Sequence, residues 1–357
     1  MDAATTTQQI RSRAEELGFD AVGIACVEEP LSAEFAHYEA FVEAGFHGSM
    51  KYLAENREAR RTLRGSHMLL GARSVICLAQ RYPKNSSTPL PDDSITSHVA
   101  RYARGADYHN FLRRKIRRLA AFVRSLSTED APVHARPLSD DAPILERAWA
   151  ARAGLGFVGK NGLLIIPGHG SMLLLGEVIT TLTLVPGEPM AQRCGSCTRC
   201  LETCPTQAFV KPFVLNASRC ISYFTIEHQG AIANDDKAAI GEHLFGCDDC
   251  QTVCPFNASE RPFETKSQFE PLERWSTLRL VEMLAMQPDA LEPLLSGSPL
   301  KRASADGLVR NACIVLGNRR EASAQSALVQ VATGHQSASV RDAATWALES
   351  LTAPREP

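Results

Sequence analysis

Eleven cysteines stand in this chain of 357 residues, and eight of them fall into a pattern with chemical meaning. Cys194, Cys197, Cys200 and Cys204 form one run, closed by Pro205; Cys247, Cys250 and Cys254 form a second, closed by Pro255, with Cys220 between the two. The first run reads C-x2-C-x2-C-x3-C-P, the spacing with which a chain holds iron–sulfur cubanes. Three closely spaced thiolates wrap one corner of a cluster, and the fourth, followed by proline, turns away to serve a neighbouring cluster. That logic assigns Cys194, Cys197, Cys200 and Cys254 to one site and Cys204, Cys220, Cys247 and Cys250 to the other. Structural zinc fits poorly, because a third cysteine in the run crowds a tetrahedral ion. A disulfide framework fits poorly in a long chain with no secretory segment. Two [4Fe–4S] clusters deliver electrons one at a time; the spacing does not say what receives them.

The elements that must position these thiolates are spread over two or three domains, as the length suggests. Hydrophobic residues make up 44% and charged residues 22%, ordinary values for a globular protein, and the formal charge of −2 excludes a wholly basic nucleic-acid binder. The N-terminal residues show neither a secretory pattern nor a twin arginine, and no apolar run approaches the roughly 20 residues of a membrane span. A cytoplasmic chain is expected, a reducing setting that suits thiolate-held clusters.

Short elements alternate as far as about residue 185. The pattern predicts a helix over 10–17, a strand over 19–27, a strand over 74–79 and a helix over 144–153 followed by a strand over 163–166. Cys26 and Cys77 lie in the two apolar strands and read as core. Residues 110–126 predict an amphipathic helix, with Leu112, Ile116, Leu119 and Val123 on one face and Arg113, Arg114, Lys115, Arg117 and Arg118 on the other. Five cations without an acid suit a phosphate-contacting face as well as a solvated one. Gly154, Gly156 and Gly159 match G-x-G-x-x-G, but helix precedes and strand follows, the reverse of a dinucleotide site. These glycines are expected to let backbone pass close to another bulky ligand. In the last third, Leu308–Gly317 and Val340–Glu349 share their apolar positions 32 residues apart (308 to 340), which suggests stacked helical repeats of the HEAT type. Lys301, Arg302 and Arg310 place further positive charge there.

Asp140 and Asp141 precede Ala142, Pro143 and the helix from Ile144. On composition alone they cap that helix. A carboxyl beside an apolar ligand could instead have its pKa raised toward neutrality and serve as a general acid.

In combination these motifs resemble the epoxyqueuosine reductases, cobalamin-dependent tRNA-modifying enzymes related in their core to reductive dehalogenases. The resemblance rests on Arg101 through His109, Asp140 through Arg147, Gly156 through Asn161, Leu175-Gly176-Glu177, the eight cysteines and the stretch from Ser298 to Asn318. It implies an α+β protein in three parts. Residues 1–188 would form an α/β cobalamin-binding catalytic domain, 189–265 a ferredoxin-like domain with two [4Fe–4S] clusters, and 266–357 a tRNA-binding domain of HEAT-like repeats. The implied reaction is reduction of epoxyqueuosine to queuosine at the wobble position of tRNAs with GUN anticodons, the last step of queuosine biosynthesis. Asp140 would be the proton donor. Corrin contacts would fall on Arg60, Asp140, Asn161, Leu164, Ser222, Cys247 and Asp248. Ala103 stands where some members carry cysteine, so a thiol contact to cobalt from that position is absent. A monomer supplied by an external low-potential electron donor is expected.

Two other readings share part of this evidence. A cytoplasmic corrinoid reductive dehalogenase would use the same corrin and clusters but have no use for basic repeats. A ferredoxin-like carrier would need no long domain ahead of its clusters.

Overall fold

In the computed structural model, residues 2–84, 89–258 and 267–353 are described. The N-terminal half is built on a four-stranded antiparallel sheet in the order β1 (Ala21–Cys26), β2 (Ser74–Arg81), β6 (Leu173–Thr180), β3 (Ala135–Leu138). A small hairpin, β4 (Phe157–Val158) and β5 (Leu164–Ile165), stands apart from it. The strands alternate with period two. Ile24, Ile76, Leu78, Leu174 and Val178 face one side, where they pack on α1 (Ala3–Glu16) and α4 (Tyr108–Ser125). Ala25, Val75, Cys77, Ala79 and Ile179 face the other, against α5 (Glu146–Arg152) and the segment holding α2 (Ser32–Glu43) and α3 (Arg57–Arg61).

The helices begin where side chains can cap them. Asp2 accepts from the backbone N–H groups of Ala4 and Thr5, and Asp107 from that of His109, so α1 and α4 start ahead of their apolar stripes. The apolar stripe of α4 is buried as its period predicts. Its cationic face is less uniform. The Lys115 ammonium turns inward to the Gly18 carbonyl (2.9 Å) and Gln80 Oε1 (2.5 Å) over the Phe19 ring, a correction to its place on a phosphate-contacting face. Cys77 is buried as read, whereas Cys26 at the end of β1 is exposed. The glycine motif is also corrected. A Cβ on Gly156 would collide with the Ile165 carbonyl oxygen, so this glycine admits the chain's own hairpin rather than a ligand.

The cluster segment carries α6 (Arg199–Glu202), the two-stranded ribbon β7 (Phe209–Lys211) and β8 (Val214–Leu215), a π-helical turn at Tyr223–Glu227, α7 (Asn234–Ile240) and α8 (Asp249–Thr252). Beyond it the chain is helical: α9 (Glu273–Thr277), α10 (Leu280–Leu284), α11 (Pro288–Leu291), α12 (Ser304–Arg319), α13 (Gln325–Gly334) and α14 (Ala338–Thr352). The two similar sequence stretches fall on α12 and α14. One apolar core joins these helices to residues 221–245 of the cluster segment.

At that joint lies Arg310, only 1% exposed. Its guanidinium donates to the carbonyls of Phe224 (2.6 Å), His228 (2.7 Å) and Gly230 (2.9 Å), while Asn311 Nδ2 donates to those of Thr225 and Leu244 (both 2.9 Å). Burial pulls the Arg310 pKa down to about 10. The expectation that Arg310 contacts RNA is therefore corrected: its donors are spent on carbonyls freed where the π-helical turn departs from regular helix. Arg310→Ala is expected to destabilise the protein by about 3 kcal/mol or more, since it strands buried carbonyls, and to show this as a lowered melting temperature. Melting at the wild-type temperature would contradict this role.

Candidate active site

The turn after β3 puts Asp140 in an uncommon backbone state. Its φ is +55°, a left-handed conformation that aspartate and asparagine tolerate better than most residues. Three polar contacts hold the turn. The Asp140 N–H donates to Glu146 Oε1 (3.2 Å), the Ser139 N–H donates to Asp141 Oδ1 (3.1 Å), and Asp141 pairs with Arg113 on α4 (3.4 Å). Helix α5 begins only at Glu146, with no side-chain cap. The two acids thus shape a turn rather than cap a helix.

The Asp140 carboxylate points at the start of α4. Oδ2 accepts from the Tyr108 hydroxyl (2.9 Å) and lies 3.3 Å from His109 Nε2, while His109 Nδ1 lies 2.8 Å from Asp107. The Tyr108 and His109 rings stack at 4.1 Å. Burial alone would raise the Asp140 pKa, but the hydrogen bonds from His109 and Tyr108 outweigh it and hold the carboxyl below its usual range. The hydrogen bond to Asp140 is the largest influence on His109 and raises its pKa. The expectation of a near-neutral Asp140 is corrected: its contacts favour the ionised carboxylate, and those of His109 favour the charged imidazole.

Around Asp140 the walls are aromatic and charged. Tyr102 lies between Tyr108 (5.9 Å) and Tyr82 (6.4 Å), so three tyrosines run from Asp140 towards Asp248. Arg302 makes a paired contact with Glu227 (3.0 and 3.1 Å) and lies 5.6 Å from the centre of the Tyr52 ring. Its charge reaches Asp140 and lowers its pKa. Arg147 is exposed, with its pKa lowered by desolvation, and its guanidinium donates to the Gly162 carbonyl.

The residues expected to contact the cofactor are held in different ways. Arg60 is buried and donates to the carbonyls of Tyr52 (3.0 Å) and Glu55 (3.4 Å), fixing the loop that carries Tyr52. Asp248 is buried, held by the Arg101 N–H (2.8 Å) and guanidinium (3.1 Å). Leu164 is buried in β5, and Ser222 opens the π-helical turn, one residue from Tyr223. Asn161 is 5% exposed; its Oδ1 accepts from the Leu163 N–H (3.2 Å), but its Nδ2 has no partner among the described residues. Asn161 also lines the cavity of Cys194, Cys197, Cys200 and Cys254, and a buried amide donor left over there fits a ligand that accepts from it.

The thiols gather as two groups. Cys194, Cys197, Cys200 and Cys254 line one cavity of about 280 Å³ together with Lys160 and Asn161. Cys250 is raised in pKa by burial and then by the charges of Cys220, Cys200 and Cys204, and Cys247 by burial and, among the thiols, by Cys250 and Cys220. Cys204, Cys220, Cys247 and Cys250 are therefore mutual neighbours, with Cys200 of the first group close by. Such crowding suits a cationic core that binds thiolates. The N–H groups of Ser222 and Tyr223 stabilise the Cys220 thiolate. Lys160 Nζ donates to the carbonyls of Gly195 (2.7 Å) and Cys197 (2.9 Å), pinning the first cysteine loop to the hairpin.

Residues 63–140 match the family model described as epoxyqueuosine reductase QueG, DUF1730, and residues 193–257 match that of a 4Fe–4S double cluster binding domain. An epoxyqueuosine reductase of Pseudomonas aeruginosa is 37% identical over 97% of this chain and 95% of its own. The chain belongs to the epoxyqueuosine reductase family. Solved members superpose on it. An epoxyqueuosine reductase with an epoxyqueuosine-modified tRNA-Tyr stem loop shares 29% identity at a TM-score of 0.88, covering 97% of this chain and 90% of that one. An epoxyqueuosine reductase from Bacillus subtilis with its catalytic loop swung out of the active site shares 28% at 0.87, over 97% and 90%.

Sequence reasoning on this family member passed over His109, Tyr108, Glu146 and Glu177 as individuals, although each lies in a stretch that carried the resemblance. The spacing of Asp107 and His109 on a helix start was the available signal. Of the α4 cations, Arg114, Arg117 and Arg118 are exposed and line a shallow depression with Arg113. Lys301 is exposed as well. No helix among the described residues is long and apolar enough to cross a membrane.

A raised folded pKa on His109 means that its charged contact to Asp140 stabilises the fold fully below the unfolded value of about 6.5, and that this contribution is lost as pH rises through the folded value. The melting-temperature difference between wild type and His109→Gln should be largest near pH 5–6 and shrink above pH 7. A difference independent of pH would show that the imidazolium–carboxylate contact is not formed.

Proposed function

We propose that this chain reduces the epoxide of epoxyqueuosine, at the wobble position of a tRNA, to the cyclopentene of queuosine. The observation that carries this reading is Asp140, held in a left-handed turn with its carboxylate against the Tyr108 hydroxyl and the His109 imidazole. The relatives that span the whole chain bear this activity in their names, and one is solved with the modified stem loop. The net reaction takes up two electrons and two protons and releases the epoxide oxygen as water. Arg60, Asp140, Asn161, Leu164, Ser222, Cys247 and Asp248 would hold cobalamin, which would supply the two electrons, with the two [4Fe–4S] clusters and an external low-potential donor as their source.

The chain's own residues manage the proton and the substrate. Asp140 is the more exposed member of a pair that shares one proton with His109. As negative charge develops on the leaving oxygen, the proton passes to it through Asp140, and Asp107 keeps the imidazole oriented. Tyr108 holds the same carboxylate oxygen and limits its rotation. The nucleotide must leave the anticodon stack to reach this point, the usual route by which RNA bases are read. The C-terminal helices, read as HEAT-like repeats, and the exposed Arg114, Arg117, Arg118 and Lys301 would meet the stem-loop backbone.

Mass spectrometry of queuosine against epoxyqueuosine in tRNA treated with reduced, cobalamin-loaded protein tests the activity. Asp140→Asn keeps a residue tolerant of the left-handed turn but removes the transferable proton. It should retain iron, corrinoid absorbance and tRNA affinity while losing turnover by roughly 10²–10⁴-fold. Turnover at the wild-type rate would remove Asp140 as the donor. For the basic face, replacing Arg114, Arg117 and Arg118 by Gln should weaken stem-loop binding and lower its salt dependence by about one unit of slope for every phosphate no longer neutralised. Unchanged affinity would mark these arginines as a solvated helix face.

A further inference from the structure

One buried acid takes no part in the proton transfer at Asp140. Glu177 sits in the middle of β6, 0% exposed, and neither of its carboxyl oxygens receives a hydrogen bond from a donor among the described residues. An ionised carboxylate in that state would be severely desolvated. Its side chain lies on the α5 side of the sheet, level with Cys77 on β2, and the carboxyl that acts on it most strongly is that of Glu146 at the N-terminus of α5. Two carboxyl groups facing each other can hydrogen-bond only if one carries a proton. Glu146 in turn accepts the backbone N–H of Asp140.

We propose that Glu177 is a neutral carboxylic acid whose O–H donates a hydrogen bond to the Glu146 carboxylate, and that it thereby fixes the carboxylate holding Asp140 in its left-handed turn. Glu177 is then a positioning residue that acts through Glu146. The surroundings agree with one shared proton. From β6 outward, Glu177 feels the charges of Glu146, Asp140 and Asp141, and its cross-strand neighbour on β2 is the buried Cys77. The cation acting on Glu146 is Arg147, whose guanidinium is turned to the Gly162 carbonyl. Burial, and then the charge of Glu146, push the Glu177 pKa well up; burial and then Asp140 push Glu146 up to about 7. The shared proton is held at low pH and leaves as pH rises through the pair's raised value, placing a second negative charge behind Asp140.

This inference rests on the proposed reduction only in its kinetic part, so the test has two arms. The first is infrared spectroscopy of the intact protein at neutral pH. Wild type should show a protonated-carboxyl C=O stretch, shifted in D2O, that Glu177→Gln removes. Absence of that band, or its persistence in Glu177→Gln, overturns the proposal. The second is turnover. Glu177→Leu should lower kcat by about 10- to 10²-fold with stem-loop affinity unchanged, since a small misplacement of the donor suffices. Glu177→Gln, which still donates to Glu146, should recover most of that loss and lack the fall in kcat that wild type shows as the pair ionises. Equal impairment of the Leu and Gln variants overturns the positioning role. A wild type that shows the band but does not reduce epoxyqueuosine counts against the proposed reaction and leaves the shared proton established.

Discussion

Eight thiols drawn into two neighbouring groups, mostly out of water, set the constraint that the rest of this chain answers. Burial raises the pKa of Cys200, Cys220, Cys247, Cys250 and Cys254, and nearby thiols raise it further. Left to themselves such groups resist being brought together as thiolates; bound to iron they become favourable. Each site also takes ligands from distant stretches. Cys254 reaches back to the group of Cys194, and Cys204 goes forward to that of Cys247, so the segments cross and neither site forms from a local peptide.

What surrounds this crossing reads as bracing. Lys160 ties the first cysteine loop to the β4–β5 hairpin, and Gly156 lets that hairpin close on itself. On the far side Arg310 and Asn311 supply donors to the irregular turn and the carbonyls that follow Cys220. Lys237, 1% exposed, adds an ion pair to Asp342 on α14 (2.6 Å). Removing the helical third would therefore strand buried carbonyls in the cluster segment. The two parts are one packing unit, even though the eight clustered cysteines all lie in the first of them.

This division explains what could be read in the sequence. Local pattern was legible: the alternation of β1, the continuous apolar run of β2 and the apolar stripe of α4 appear where expected, and cysteine spacing announced its own chemistry. Function along a single helix was not. Lys115 and Arg113 lie among the same run of cations as Arg117, yet one turns under the sheet and the other pairs with Asp141, because what faces a helix is decided by elements far away in sequence. Arg310 looked like surface charge for the same reason. Leu175, Gly176 and Glu177 show how a motif divides once folded. A Cβ on Gly176 would collide with Ile116, so the glycine admits α4 on one face, while Glu177 turns its carboxyl to the other.

The placement of Asp140 follows from these packing demands and not from its own sequence preference. A left-handed aspartate is a strained choice that persists when its neighbours over-determine it. Here the neighbours are two sets of charges pulling in opposite senses. In front, His109, Tyr108 and Arg302 favour the carboxylate; behind, the charge of Glu146, against which Glu177 rests as a neutral acid, favours the acid form. A carboxyl poised between them can release a proton towards the cleft and regain one from the imidazole without moving its backbone. A single buried acid with a raised pKa would hold its proton more firmly but would have no adjacent source from which to replace it. The arrangement trades a neutral resting acid for a relay, and α4, which supplies Tyr108 and His109, can serve it only because the sheet brings β3 alongside.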